Sequence, residues 1–328
     1  MRKRIIDSGQ GGLIDVKARL ASTAQRAVAN SPGPLPDPCA RLEDTITIKT
    51  ILVYLDTEEH AADLIGIAAS IAEATTAHLV ALHVVSDVFV SATMSLEAMG
   101  EMIEAERQAY AAKAARIEVR YRQAVAGLRI PNEWRAVQAH LETAADVVMR
   151  HGRTADLIVL GQSEHELDVF GTDVSEEVML GAGRPVLLVP LKGRNGPIGK
   201  RILIAWKDSR EAARAVFDAL PFLEQSDMVY ILSVKPERRR STGTPSPLTI
   251  PAADIAASLA HHDVRCEIVE VVGPEVTVAD EILSQVKEHR CDMVVMGGYG
   301  HSRMRELFFG GTTQSMFDSL TVPVLMSH

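Results

Sequence analysis

The residues with the clearest chemistry lie between Cys291 and His328, in the stretch CDMVVMGGYGHSRMRELFFGGTTQSMFDSLTVPVLMSH. Met293-Val294-Val295-Met296 is a short apolar run suited to a buried parallel strand. Gly297, Gly298 and Gly300 follow it, and a second glycine pair, Gly310 and Gly311, precedes the hydroxyls of Thr312 and Thr313. Glycine lacks the Cβ that would hold a bulky anion off the main chain, and it reaches the positive φ angles that turn successive N–H groups inward. The spacing therefore allows two close backbone approaches to one ligand, and a phosphate can sit on bare amides. Thr312 to Leu320 has helical character, so a helix N-terminus would bring further unpaired donors and a partial positive charge beside those amides. His301, Ser302, Arg303 and Arg305 complete the loop. Arg303 or Arg305 can pair with phosphate oxygens, or both can stand solvated on an exposed helical face.

Other chemistries lack their residues. The chain has no Gly-x-x-x-x-Gly-Lys-Ser/Thr loop, no His-Glu-x-x-His and no Gly-x-Ser-x-Gly. Cys39, Cys266 and Cys291 are widely separated and form no Cys-x-x-Cys pair, so neither a zinc site nor a disulfide framework is indicated and reduced cytoplasm is the simplest compartment. His261, His262 and His289 stand outside metal-ligand spacing and read as surface residues. A formal charge of −9 argues against general nucleic-acid binding. Apolar runs fall short of a membrane span, and Met1-Arg2-Lys3-Arg4-Ile5-Ile6-Asp7 lacks the apolar core of a signal peptide. With 47% hydrophobic residues but only 4% aromatic, the composition favours aliphatic α/β packing over an aromatic base-stacking surface.

The elements that must position the glycine loop are legible in order. Residues 1–44 read as a flexible tail ending in the linker Ser31-Pro32-Gly33-Pro34-Leu35-Pro36-Asp37-Pro38, either without function or serving as a docking arm. From residue 45 strands alternate with helices. Strands are expected at Ile51–Leu55, Leu79–Val84, Trp134–Gln138, Asp156–Leu160 and Arg184–Pro190, with helices at about His60–Ala74, Ser95–Gly127 and Leu141–Gly152 between them. After a Gly/Pro linker at Lys192–Gly199 the order starts again. Strands at Ile202–Trp206, Val229–Val234, Glu267–Val272, Met293–Met296 and Val322–Met326 alternate with helices at Arg210–Leu223, Ile255–His262 and Val276–His289. This predicts an α/β fold of two repeated, open, mostly parallel five-stranded sheets with flanking helices, a Rossmann-like arrangement over 45–190 and 199–328. Arg238-Arg239-Arg240-Ser241 falls in a polar loop of the second copy, a solvated segment or a phosphorylation site.

Gly297-x-x-Gly300, nine residues and then Gly310, set between an apolar strand and a closing Val322-Pro323-Val324-Leu325-Met326 strand, resembles the nucleotide loop of the universal stress protein family. With the repeat, the chain is similar to the tandem members of that family. The resemblance implies a cytoplasmic stress-response regulator that binds ATP or another adenine nucleotide, with or without Mg2+, in residues 199–328. On that basis Gly297, Gly300 and Gly310 supply backbone contacts, Gly311 and Thr312 or Thr313 lie at the phosphates with His301 and Arg303, and Val234 meets the adenine. It also implies an unidentified protein client and no role for nucleic acid or membrane.

Two positions depart from the family pattern. Gly311 stands where the ATP-binding branch has serine or threonine, and Lys207 stands where its adenine-side aspartate belongs, with Asp208 one place later. Two alternatives therefore stay open, a protein-interaction scaffold of the non-nucleotide branch and a slow ATP hydrolase. No catalytic residue or metal ligand is assigned.

The first copy keeps the aspartate, Asp56, but its loop carries Glu164, Glu166, Asp168 and Asp173. Like charges at ~4 Å repel by about 1 kcal/mol in water and more where solvent is excluded, so phosphate is expected only in the second copy. The last strands, Val186–Val189 and Val322–Met326, would be exposed edges unless paired. Relatives pair them across a dimer. Here the partner strand lies in the same chain, giving an internal pseudo-dimer, with homodimerisation left open.

Overall fold

The computed structural model describes residues 47–85, 96–162, 173–190, 196, 198–235, 252–272, 277–298, 316 and 319–328, all within the compact unit Thr45–His328. The tail and linker of residues 1–44, the Arg238–Ser241 segment, Glu164, Glu166 and Asp168, and most of the expected helix from Thr312 lie outside the described residues.

The first repeat runs β1 (Thr50–Tyr54), α1 (Glu58–Thr75), β2 (His78–Val85), α2 (Leu96–Val125), β3 (Asn132–Gln138), α3 (Ala144–Gly152), β4 (Leu157–Gly161), α4 (Val174–Gly181) and β5 (Val186–Val189). The second runs β6 (Arg201–Ala205), α5 (Arg210–Asp218), α6 (Leu220–Leu223), β7 (Met228–Lys235), α7 (Ala252–Ala260), β8 (Cys266–Val272), α8 (Val278–Glu288), β9 (Met293–Gly297) and β10 (Val324–Ser327). One expected helix, Arg210–Leu223, is divided in two. Pro221 has no N–H for the carbonyl one turn back, so α5 stops and a short α6 restarts with the proline in its first turn.

Sheet order is β3-β2-β1-β4-β5-β10-β9-β6-β7-β8. Within each repeat every pair is parallel, whereas β5 and β10 meet antiparallel, with Val324 opposite Leu188, Leu325 opposite Leu187 and Met326 opposite Val186. The two five-stranded sheets thus join into one of ten strands. Both faces are covered, which is why the strands read as nearly unbroken apolar runs. Ile51, Val53, Ile202 and Ile204 pack with α1, α2, α5, α6 and α7 on one face. Leu52, Leu203, Val294 and Val324 pack with α3, α4 and α8 on the other, where Met316 and Leu320 join them. Helices change face between the first and last strands of each repeat, as right-handed crossovers require when strand order reverses.

The same aspartate staple recurs in both halves. Asp156, just before β4, accepts from the amides of Lys49 (2.8 Å) and Thr50 (3.0 Å) at the start of β1. Asp292, just before β9, accepts from Gly199 (2.9 Å), Lys200 (3.1 Å) and Arg201 (3.2 Å) at the start of β6. Each carboxylate satisfies amides at the beginning of a central strand and fixes its register against the neighbour. Replacing Asp292 by alanine removes three such acceptor contacts and is expected to cost about 1–3 kcal/mol in urea unfolding, more than Asp156→Ala, which removes two.

Candidate functional site

Strand order reverses between β1 and β4 in the first repeat and between β6 and β9 in the second, and ligands of open parallel sheets lie outside the carboxyl ends of strands at such points. In the second repeat β6 runs into Trp206-Lys207-Asp208 and β9 into Gly297-Gly298. Ala205 opposite Met296 sets these two exits side by side, and Ala205 opposite Leu232 puts the end of β7 next to them. α5 begins immediately after β6. Ser209 caps it, its Oγ accepting from the Ala212 amide at 3.2 Å.

Of the expected ligand residues, Val234 and Gly297 are described. Val234 is half-buried near the end of β7, against the apolar cluster of the α8 face. Gly300, His301, Arg303, Gly310, Gly311, Thr312 and Thr313 lie outside the described residues.

The two glycines at the root of the loop are hemmed from opposite sides. A Cβ on Gly297 would fall 2.5 Å from the Ala212 amide nitrogen and 2.6 Å from the Glu211 carbonyl carbon, so the absent side chain is what lets the first turn of α5 rest on β9. A Cβ on Gly298 would fall 2.4 Å from Sδ of Met179, on α4 of the first repeat. The Gly298 amide donates to Ser327 O at 2.9 Å, and the equivalent Gln162 amide of the first repeat donates to Val189 O at 2.8 Å. Gly297 therefore has a packing reason to be glycine, independent of any ligand, whereas the flexible thioether beside Gly298 can yield to a methyl.

The electrostatics at the root involve residues that sequence patterns left unmarked. Glu211, in the first turn of α5, is buried beside Gly297. Burial pushes its carboxyl up, but the Arg210 guanidinium, its own amide and the Ser209 hydroxyl together outweigh that and hold it below the ordinary range. A helix N-terminus is where a buried carboxylate is best tolerated. Trp206 is buried at the end of β6, and its Nε1 has no hydrogen-bond partner among the described residues. The only sequence signal for Glu211 was its place directly after the Ser209 cap. Trp206 carried none beyond its position at the strand end.

The first repeat differs at each corresponding place. Asp56 turns an oxygen back to the Thr57 amide at 2.7 Å, and Thr57 Oγ1 lies 3.1 Å from His60 Nδ1. Asp173 is the N-cap of α4, its Oδ1 accepting from Ser175 at 2.8 Å and Glu176 at 3.3 Å. At the ends of β4 and β5, His60, Asp63, Gly161, Val189 and Pro190 border a shallow hollow with room for roughly one water. On β2, buried His83 places Nδ1 2.6 Å from Leu55 O and lies near-parallel to Trp134, ring centroids 6.3 Å apart. Among the described residues no group of three or more His, Cys, Asp or Glu is placed to hold a metal ion, and no helix is long and apolar enough to cross a membrane.

Comparison with known proteins gives one family. A sequence model described as the universal stress protein family matches residues 47–190 and 199–328. No curated protein matches the chain. Among solved structures, a universal stress protein from Archaeoglobus fulgidus DSM 4304 is 16% identical, with a TM-score of 0.59, over 86% of this chain and 96% of its own. One from Pseudomonas aeruginosa UCBPP-PA14 gives 16% identity and 0.46 over 85% and 93%. A universal stress protein solved in complex with cAMP gives 19% identity and 0.30 over 44% and 99%.

Two outcomes follow from the packing. Gly297→Ala, which drives a methyl into the backbone of α5, is expected to cost about 1–3 kcal/mol in urea unfolding. Gly161→Ala, whose nearest neighbour is Leu64 Cδ1 at 3.5 Å, should cost less than Gly297→Ala. His83 has its pKa lowered, chiefly by burial, so the unfolded chain takes up the proton first as pH falls. The His83 contribution to stability is expected to be complete above about pH 6.5 and to be lost as pH drops below it, and the difference between wild type and His83→Gln in urea midpoint should change only on that acid side.

Proposed function

This chain belongs to the universal stress protein family through both of its repeats, and from that premise we propose that it binds ATP or another adenine nucleotide at the carboxyl edge of the second repeat and acts as a cytoplasmic, stress-linked regulator. The observation that carries this is the run Gly297-x-x-Gly300-x9-Gly310, whose first residue ends β9 beside β6, where strand order reverses. The cAMP of one solved neighbour belongs to that protein. What supports a nucleotide here is this chain's own residues.

Because the Gly298 amide is already used by Ser327 O, the phosphate contacts are assigned to the amides from Gly300 onward, with Gly310, Gly311 and the hydroxyls of Thr312 or Thr313 closing the cradle. His301 and Arg303 supply the cationic side, with or without Mg2+, and Val234 meets the base. The buried indole N–H of Trp206, which has no partner among the described residues, is compatible with an acceptor supplied at this edge. Residues 45–190 and 199–328 act as two domains, of which the first, with Glu164, Glu166 and Asp168 in its loop, takes no phosphate. Lys207 favours a second reading, a scaffold for a protein client, since an ammonium offers no acceptor where the resemblance places an aspartate on the adenine side.

The test is to titrate the purified protein with ATP and Mg2+ and to identify nucleotide that copurifies with it. One ATP per chain is expected, weakened at least about tenfold by Gly300→Glu, which copies the first repeat's loop. Binding unchanged in that variant would reject the site, and absence of binding by the wild type would favour the scaffold. Steady ATP turnover above background would move the assignment to a hydrolase.

A further inference from the structure

We infer that Trp206 is a specificity-determining residue of the second repeat, its indole N–H donating to a ring nitrogen of the bound adenine. The ligand is taken from the nucleotide reading, on which this inference rests, and the chemistry from Trp206 itself. Trp206 Nε1 is buried and has no hydrogen-bond partner among the described residues. Buried polar groups are nearly always paired, so a donor left over points to a partner from outside the chain.

Set side by side, the repeats show that packing does not require this N–H. Leu55 and Trp206 hold the same place, the Leu55 amide donating to Leu82 O at 2.9 Å and the Trp206 amide to Leu232 O at 2.8 Å. The residue after that carbonyl is His83 in the first repeat and Ser233 in the second. On the next strand Trp134 lies opposite Ala81, whereas Ile268 lies opposite Ile231. In the first repeat His83 and Trp134 stack, and aliphatic Leu55 belongs to the cluster on that face. In the second repeat both rings are gone from β7 and β8, and the aromatic comes from β6 instead, on the same face of the sheet. A phenylalanine or leucine would serve that packing. The indole adds a donor that the described fold leaves unused.

The donor lies where a base can meet it. Trp206 is only 8% exposed, but Lys207 and Asp208 directly after it are exposed, and Ser233 and Val234 on the adjoining strand are half-buried. The indole therefore sits just beneath the rim on which the proposed base rests against Val234. A tryptophan N–H donates and never accepts, so it reads adenine at a ring nitrogen and not at the amino group. Away from water such a bond counts for more than one made at the surface.

The chain has two tryptophans, which makes the donor directly visible. In full-length protein with isotope-labelled indole nitrogens, Trp134→Phe assigns the two N–H signals in NMR spectra, and both are followed as ATP with Mg2+ is added. The Trp206 signal is expected to move downfield on binding while the Trp134 signal stays in place, and Trp206→Phe is expected to weaken ATP about tenfold. Because that variant also loses packing, three ATP analogues, each with C–H in place of one acceptor nitrogen of the ring, separate the causes. One analogue should bind wild type about tenfold more weakly than ATP and lose nothing further on Trp206→Phe, a result that loosened packing does not give. If the Trp206 signal stays in place while ATP binds, or if every analogue loses as much as ATP does on Trp206→Phe, the inference is overturned and the nucleotide reading stands without it. If wild type binds no ATP, both fall.

Discussion

The antiparallel contact between β5 and β10 is the constraint from which the architecture follows. A terminal strand of an open sheet presents unpaired amides and carbonyls, and each half of this chain ends in such a strand. Pairing Val186–Leu188 with Val324–Met326 satisfies both edges at once. Because that one pair is antiparallel while all others are parallel, strands of the two halves run in opposite directions. The carboxyl ends of β1, β2 and β4 therefore emerge on one long edge of the sheet, and those of β6, β7 and β9 on the other. Two strand-end sites on opposite edges of one sheet cannot share one ligand.

At the junction, proximity works differently. The turn that leads into β5 lies near the exit of β9, and α5 bridges the two through Arg214 and Asp218. The exit of the second repeat is thus walled by its own helix on one side and by the first repeat on the other. Glycine serves two purposes along a few residues here. At 297 it makes way for the backbone of α5, and from 300 to 310 the proposed function would have it make way for a ligand. The buried Glu211 carboxylate beside the first of these is held below the ordinary range by the Arg210 guanidinium, its own amide and the Ser209 hydroxyl at the start of a helix.

Much of the architecture was written in the order of apolar runs. Every expected strand is present, since strands covered on both faces need uninterrupted Val, Ile and Leu, and that composition is hard to disguise. Boundaries moved where local chemistry intervened. β3 begins at Asn132, before its Trp134, and α5 stops short because of Pro221. Joining of the two sheets was foreseeable from the two apolar terminal strands. The site was less legible. Glycine spacing marked where the chain leaves β9 but could not distinguish a glycine that would be kept bare for a phosphate from Gly297, kept bare for the backbone at Ala212, because both demands produce the same letter. Asp173, counted in the sequence for its charge, has a second task that no pattern showed, capping α4 through the amides of Ser175 and Glu176. Contacts between halves, such as Arg214 with Gly183, have no periodic signature and appear only once the chain is folded.

Covalent continuity between the halves has a consequence for how this molecule can vary. In an assembly of identical subunits the central strand pair would weaken on dilution, and any change to one side would be imposed on both. Here the two sides are tethered through a short connection, so their encounter is intramolecular and independent of protein concentration. Each side is also guaranteed a mate of fixed and different sequence. One half can then lose a capacity outright, keep its share of the common sheet, and specialise as a permanent companion that never exchanges.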